Sequence, residues 1–215
     1  VTSVIGFVAQ NRVQSTFNKS SRMATQAGRS GEEVANSLLN QGGDRTAITA
    51  TKGALTDHFD PRNNTVALSE PVYGSGSVAA VAVAAHECGH VMQHREGYGP
   101  VRARDALVPV VNLASNLAMP MLLLGGFIQI TQLIWVGIAL YAAGFLFQVV
   151  TLPVELNASA RALDALEAGH YLSSAEMPAA KKVLRAAAMT YVAGALASAL
   201  QHLYLVGIAG GRRRD

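Results

Sequence analysis

The stretch Ala84–His94, AAHECGHVMQH, sets His86 and His90 four residues apart with Glu87 between them. On a helix, positions i and i+4 lie on one face. Two imidazole nitrogens can then reach one zinc ion at about 2.0–2.1 Å. The glutamate suits a different role, since it can take a proton from a zinc-activated water as that water attacks a carbonyl. The spacing therefore points to His86 and His90 as metal ligands and Glu87 as catalytic base. A third ligand must come from elsewhere. His94 shares the helix face, but residues 86, 90 and 94 spread over about 12 Å of straight helix at 1.5 Å per residue, too far for one small ion. The longer motif with Gly at 93 and His at 96 is excluded, because Gln93 and Glu96 stand there. Glu155 is the better candidate. It lies in LPVELNASARALDAL, as the first charge after a long uncharged run. By composition alone, a helix-start glutamate stabilised by the helix dipole accounts for it slightly better.

These residues need elements to hold them. From Ser77 the run SVAAVAVAAHECGHVMQH is alanine-rich and proline-free, and Gly97, Gly99 and Pro100 end it, which predicts one helix. Ahead of it, Ser30 and Glu33 form a capping-box pattern, Val34, Leu38 and Leu39 share a face, and Gly42-Gly43 stops a short packing helix. TAITAT at 46–51 is β-prone, and ALTDHFDPRNNTVALSE reads as strand, turn, strand. The expectation is a small antiparallel sheet of about three strands.

The chain has 215 residues, half of them apolar and only 14% charged, against about 25% in ordinary soluble domains. From Ala106 to Val154 no residue is charged. A bilayer-spanning helix needs about 20 apolar residues, so this run has room for two, with GGFIQITQ at 125–132 as the hairpin turn. Residues 186–211 form another uncharged run, read as a third spanning or re-entrant helix, and 155–185 is polar and helical. The opening run VTSVIGFVAQ is too short to span and reads as the end of a transmembrane helix or as a frayed terminus. Residues 12–29 then look like a basic helix leaving a membrane surface. The resulting division is 1–9 as that helix end, 10–105 as the peptidase part, 106–153 as a transmembrane hairpin, 154–185 as the third-ligand region and 186–211 as the last apolar helix. The net charge of +3 is too small and scattered for a nucleic-acid surface. One cysteine, Cys88, permits no intrachain disulfide, and with Gly89 it reads as packing.

Several stretches taken in order, LTDHFDPRNNTVALSE, SVAAVAVAAHECGHVMQH, GYGPVRARDALVPVVN and LPVELNASARALDAL, resemble the YugP-type membrane zinc metallopeptidases, also called neutral zinc metallopeptidases. More distantly the chain is similar to HtpX and the CAAX-prenyl proteases. The resemblance implies a mainly α fold with a small antiparallel sheet, a minimal gluzincin core interrupted by a transmembrane hairpin. It implies Zn²⁺ as cofactor, His86, His90 and Glu155 as its ligands, and Glu87 as catalytic glutamate. HtpX-like relatives place an aspartate four residues after the ligand glutamate, where this chain has Ser159, so Ser159 or Asn157 would have to orient the ligand histidines. Gluzincins bind an extended substrate along an edge strand, and residues 65–69 are the expected strand, with Asp57 and His58 near the cleft. Tyr73, Tyr191, His94 and Arg161 are all eligible to stabilise an oxyanion, and none is favoured.

Arg12, Lys19, Arg22, Arg95, Arg102, Arg104, Arg161, Lys181, Lys182 and Arg185 flank the apolar runs, while the hairpin turn is uncharged. By the positive-inside rule the catalytic part faces the cytoplasm, with Arg212–Arg214 dissenting. The expected activity is an integral-membrane zinc endopeptidase acting on peptide or protein substrates, embedded in a lipid bilayer. The alternative is a non-catalytic membrane adaptor or assembly factor with a structural zinc, against which Glu87 argues, since a structural site needs no base. A channel fits poorly, because the spans lack charges that would mark a pathway.

Overall fold

The computed structural model describes residues 2–211; Arg212–Arg214, the basic cluster that dissents from the expected orientation, lie outside them. Seven helices and three strands follow in chain order among these residues: α1 (Thr2–Ser20), α2 (Gly31–Gln41), β1 (Ala47–Thr51), β2 (His58–Asp60), β3 (Thr65–Ser69), α3 (Glu70–Tyr73), α4 (Val78–Arg95), α5 (Gly99–Phe127), α6 (Thr131–Ala168) and α7 (Met177–Gly211). They fall into two compact units. Among the described residues, one comprises 10–98 and 154–189, and the other 2–9, 99–153 and 190–211.

The first unit is built around α4. Its N-cap is Ser77, whose side chain accepts from the Ala80 N–H. Ala79, Ala80, Ala82, Ala84 and Ala85 are fully buried, so small side chains let neighbouring elements close in on the helix. α2 packs on it through Val34, Leu38 and Leu39. The predicted capping box is formed: Ser30 Oγ accepts from Glu33 N at 3.2 Å, and Glu33 Oε2 accepts from Ser30 N at 2.7 Å. Ala162 and Leu166 of α6, with Val183 and Leu184 of α7, complete the core.

The sheet is small, as expected, but mixed. Its order is β1-β3-β2. β2 and β3 form an antiparallel hairpin, turned by Asp60, which accepts from Arg62 N and Asn63 Nδ2, and by Asn64 at φ 48. β1 pairs parallel to β3, Ala47 opposite Thr65 through Thr51 opposite Ser69. A parallel pair needs a long crossover, and the segment between Thr51 and Thr65, which contains β2, supplies it. β3 is therefore the central strand, and Val66, Ala67 and Leu68 are buried. The expectation that residues 65–69 offer a free edge to substrate is corrected accordingly, since the edges are β1 and β2.

The second unit consists chiefly of α5, the apolar part of α6 and the end of α7, with a small core of Ile134, Ile138 and Ala209 against Leu122 and Leu205. All three helices are long and apolar enough to cross a membrane, and at most 17% of each apolar window is buried. The break between α5 and α6 falls at residues 128–130, with Gln129 at φ 58, inside the expected turn. α5 starts at Gly99, earlier than its uncharged run. α6 continues through Pro153 to Ala168, so the residues after the run extend the same helix.

Candidate metal centre

α4 carries His86 and His90 on one face, and α6 brings Glu155 to them. His86 Nε2 lies 3.3 Å and His90 Nε2 3.7 Å from Glu155 Oε2. The two imidazole rings meet edge to face at 4.7 Å between centroids. One donor atom from each of the three residues lies within 4.8 Å of the others, and no other such group of His, Cys, Asp or Glu is found among the described residues. His94 is exposed and packs edge to face on Phe59 instead, 5.8 Å between ring centroids.

The close approach depends on Gly89. A Cβ there would stand 2.5 Å from the Ala158 carbonyl oxygen. That carbonyl is one turn of α6 beyond Glu155, so a bare backbone at 89 is what lets the carboxylate reach the histidines.

Hydrogen bonds fix the direction of each ring. The Arg161 guanidinium can only donate, and its Nε gives a hydrogen bond to Asn157 Oδ1 at 2.8 Å. Gln93, fully buried, donates from Nε2 to the same Asn157 oxygen at 2.9 Å and to the Val154 carbonyl at 2.7 Å. Its amide oxygen is thus left to accept from His90 Nδ1 at 3.1 Å. His90 Nε2 then holds a lone pair aimed at Glu155. Ser159 Oγ lies 3.2 Å from His86 Nδ1, which makes it the counterpart on the other ring. Asn157 acts one step back, through Gln93.

This donor set fits a zinc ion. Three lone-pair carriers converging on one point need a shared proton or a cation. The donor–donor edge of a tetrahedron with zinc bond lengths is about 3.3–3.5 Å, close to the separations here. Burial opposes charge on His90, and the neighbouring Glu155 carboxylate outweighs it and raises the ring's pKa. Two histidines and one carboxylate are three protein donors, one fewer than the four that close a structural zinc site.

Glu87 is buried next to the cluster and is not one of its donors. Burial pushes its carboxyl above the ordinary range; His86 and His90 pull the other way, and Asp57 and Glu155 add to the rise. Asp57, immediately before β2, accepts from Ser69 N at 2.7 Å and Ser69 Oγ at 2.8 Å. His58 is exposed, with Nδ1 satisfied by the Thr56 carbonyl. Among the eligible oxyanion groups, Tyr73 engages Glu32 and Arg161 is bound by Glu96 at 2.7 Å, while Tyr191 belongs to the other unit.

Gln93 acquires a role here that its type alone did not suggest. A glutamine three residues after a ligand histidine was the one available signal for it. Gly89 was read as packing from its type, and the structure identifies what it packs against, the Ala158 backbone of α6.

The model of the family described as "Putative neutral zinc metallopeptidase" matches residues 1–210. The chain is 44% identical over 206 residues to the "Putative membrane protease YugP" of Bacillus subtilis (strain 168), covering 95% of this chain and 91% of that protein. No solved structure matches it.

Proposed function

Because the chain belongs to the neutral zinc metallopeptidase family, we propose that it is a membrane-embedded zinc endopeptidase in which His86, His90 and Glu155 hold the metal and Glu87 is the general base. The observation that carries this reading is the convergence of the three donors beside a buried, non-ligating glutamate. When bound, zinc supplies Lewis-acid polarisation of the scissile carbonyl and lowers the pKa of water to about 7. Glu87 accepts the proton from the attacking water and delivers it to the leaving amine. Its raised pKa suits it to the return step, because a carboxyl nearer neutrality gives a proton up and takes it back with less cost. Gln93 and Ser159 keep the ring nitrogens aimed.

The substrate chain docks in extended form against a free sheet edge by backbone pairing. β2 is the edge favoured, because Asp57 immediately before it acts on Glu87 and Phe59 packs on His94 of α4. The three apolar helices sit in the bilayer, consistent with exposed Leu113, Leu123, Phe127, Leu146 and Leu203, which a water-facing surface would not carry together. The cationic flanks of the apolar runs support a cytoplasmic catalytic face.

The test is Glu87→Gln. Zinc content should stay at one ion per chain, and proteolysis of an unfolded protein substrate should fall by roughly 10²–10⁴. A mutant with full activity would sink the mechanism and leave the adaptor alternative.

A further inference from the structure

α1 and α7 border a second feature of the first unit, a groove of about 780 Å³. Arg12 and Lys19 line it from α1, and Lys182 and Arg185 from α7. All four side chains are exposed, and none has an ion-pair partner among the described residues. The wall segments 12–23 and 175–189 contain one acid, Glu176. It is buried and already accepts from Gln26 N, Ser173 N and Ser173 Oγ, each at 2.7 Å. Cations on an ordinary solvated face are dispersed or paired. Here four converge on a concavity without a counter-charge, so the groove holds a positive field that an anion would neutralise.

The groove is not uniformly polar. Ser15, Thr16 and Ser20 add hydroxyl groups, and Met23, Ala186 and Met189 give it apolar surface. Both bordering helices also change character along their length. α1 exposes Val4, Phe7 and Val8 before Arg12, and α7 exposes Met189, Val192 and Leu196 after Arg185. Each helix therefore passes from cationic to apolar surface at the groove, which matches the boundary between headgroups and acyl chains.

We propose that the α1–α7 groove binds one anionic phospholipid molecule, its phosphate held by Arg12, Lys19, Lys182 and Arg185 and the start of its acyl chain against Met23 and Met189. This rests on the membrane-embedded part of the proposed function and is independent of the peptidase chemistry. A guanidinium donates two parallel hydrogen bonds to phosphate oxygens, and the ammonium groups add point charge.

The test is lipid titration of the full chain, purified in neutral detergent and followed by native mass spectrometry. The probes are phosphatidylglycerol, phosphatidylcholine and soluble glycerol phosphate. Wild type should retain one phosphatidylglycerol at least tenfold more tightly than phosphatidylcholine. The pair Lys182→Gln/Arg185→Gln should weaken it roughly 30-fold, from about 1 kcal/mol per basic residue near an anionic surface. Arg45→Gln/Lys52→Gln removes equal charge from exposed positions elsewhere and should change it less than about threefold. Unchanged zinc content in both pairs shows that the fold is kept. Equal losses in the two pairs, or equal retention of the two lipids, would overturn the site. Displacement of phosphatidylglycerol by equimolar glycerol phosphate would overturn the lipid as ligand in favour of a soluble phosphate ester. Alkaline carbonate extraction of the wild type from membranes is the separate control: release into the supernatant would sink the membrane reading itself, whatever the titration shows.

Discussion

Gln93 sets the tautomer of His90 without touching the metal position. Arg161 fixes the Asn157 oxygen, and that oxygen with the Val154 carbonyl fixes the Gln93 amide, so only the protonated Nδ1 of His90 is accommodated. Gln93→Leu should therefore weaken zinc binding about 10–100-fold in competition with a chromogenic chelator. It removes the acceptor for His90 Nδ1 and the second donor to the Asn157 oxygen, and leaves that oxygen to Arg161 alone. Cys88 makes the opposite case. It is fully buried, its sulfur lies 3.8 Å from the Ala35 carbonyl oxygen, and burial pushes its thiol well above the usual range. A maleimide should leave it unlabelled in the folded chain and label it on unfolding. The histidine pair and its glutamate were legible from spacing because one helix supplies all three. Gln93 was not, because its partners Val154 and Asn157 belong to α6 and enter only when that helix packs.

At the scale of elements, the crossing of α4 by α6 decides whether a site exists. Gly89→Ala would drive a methyl group into the Ala158 backbone oxygen, and no change of side chain at 158 can relieve a clash with a carbonyl. The variant should lose about 1–3 kcal/mol of stability and bind zinc more weakly, measured by thermal unfolding with and without chelator. The start of α7 depends on a different contact. Glu176 accepts three hydrogen bonds, and although burial opposes its charge, the Ser173 and Gln26 donors hold its carboxyl below the usual range. A lowered folded-state pKa means stability present above the unfolded value of about 4.3 and lost as pH falls through the folded value. Glu176→Gln should therefore lower the melting temperature at pH 7, and the gap should close in acid. The helices were readable from sequence through caps, glycine stops and uncharged runs. The sheet order was not. Strands of three to five residues carry too little pattern to separate a parallel neighbour from an antiparallel one, so β3 looked like an edge when it lies in the middle.

At the scale of the whole molecule, the orientation of the chain can be read with single cysteines, since the native thiol is silent. Gln129→Cys, between α5 and α6, should react in intact cells with a membrane-impermeant maleimide. Glu96→Cys, just after α4, should react only after permeabilisation. The reverse pattern would put the catalytic unit outside. The uncharged runs made the three long apolar helices legible, since composition alone signals them. The groove between α1 and α7 was not legible, because its cations are distant in sequence. The donor set also has a temporal meaning. His86 and His90 leave the ribosome well before Glu155, and everything between Glu155 and α4 is α5 and the apolar part of α6. On the function proposed above, a nascent chain carries an incomplete metal site until the segment through Glu155 has been synthesised, and peptide hydrolysis cannot begin before then.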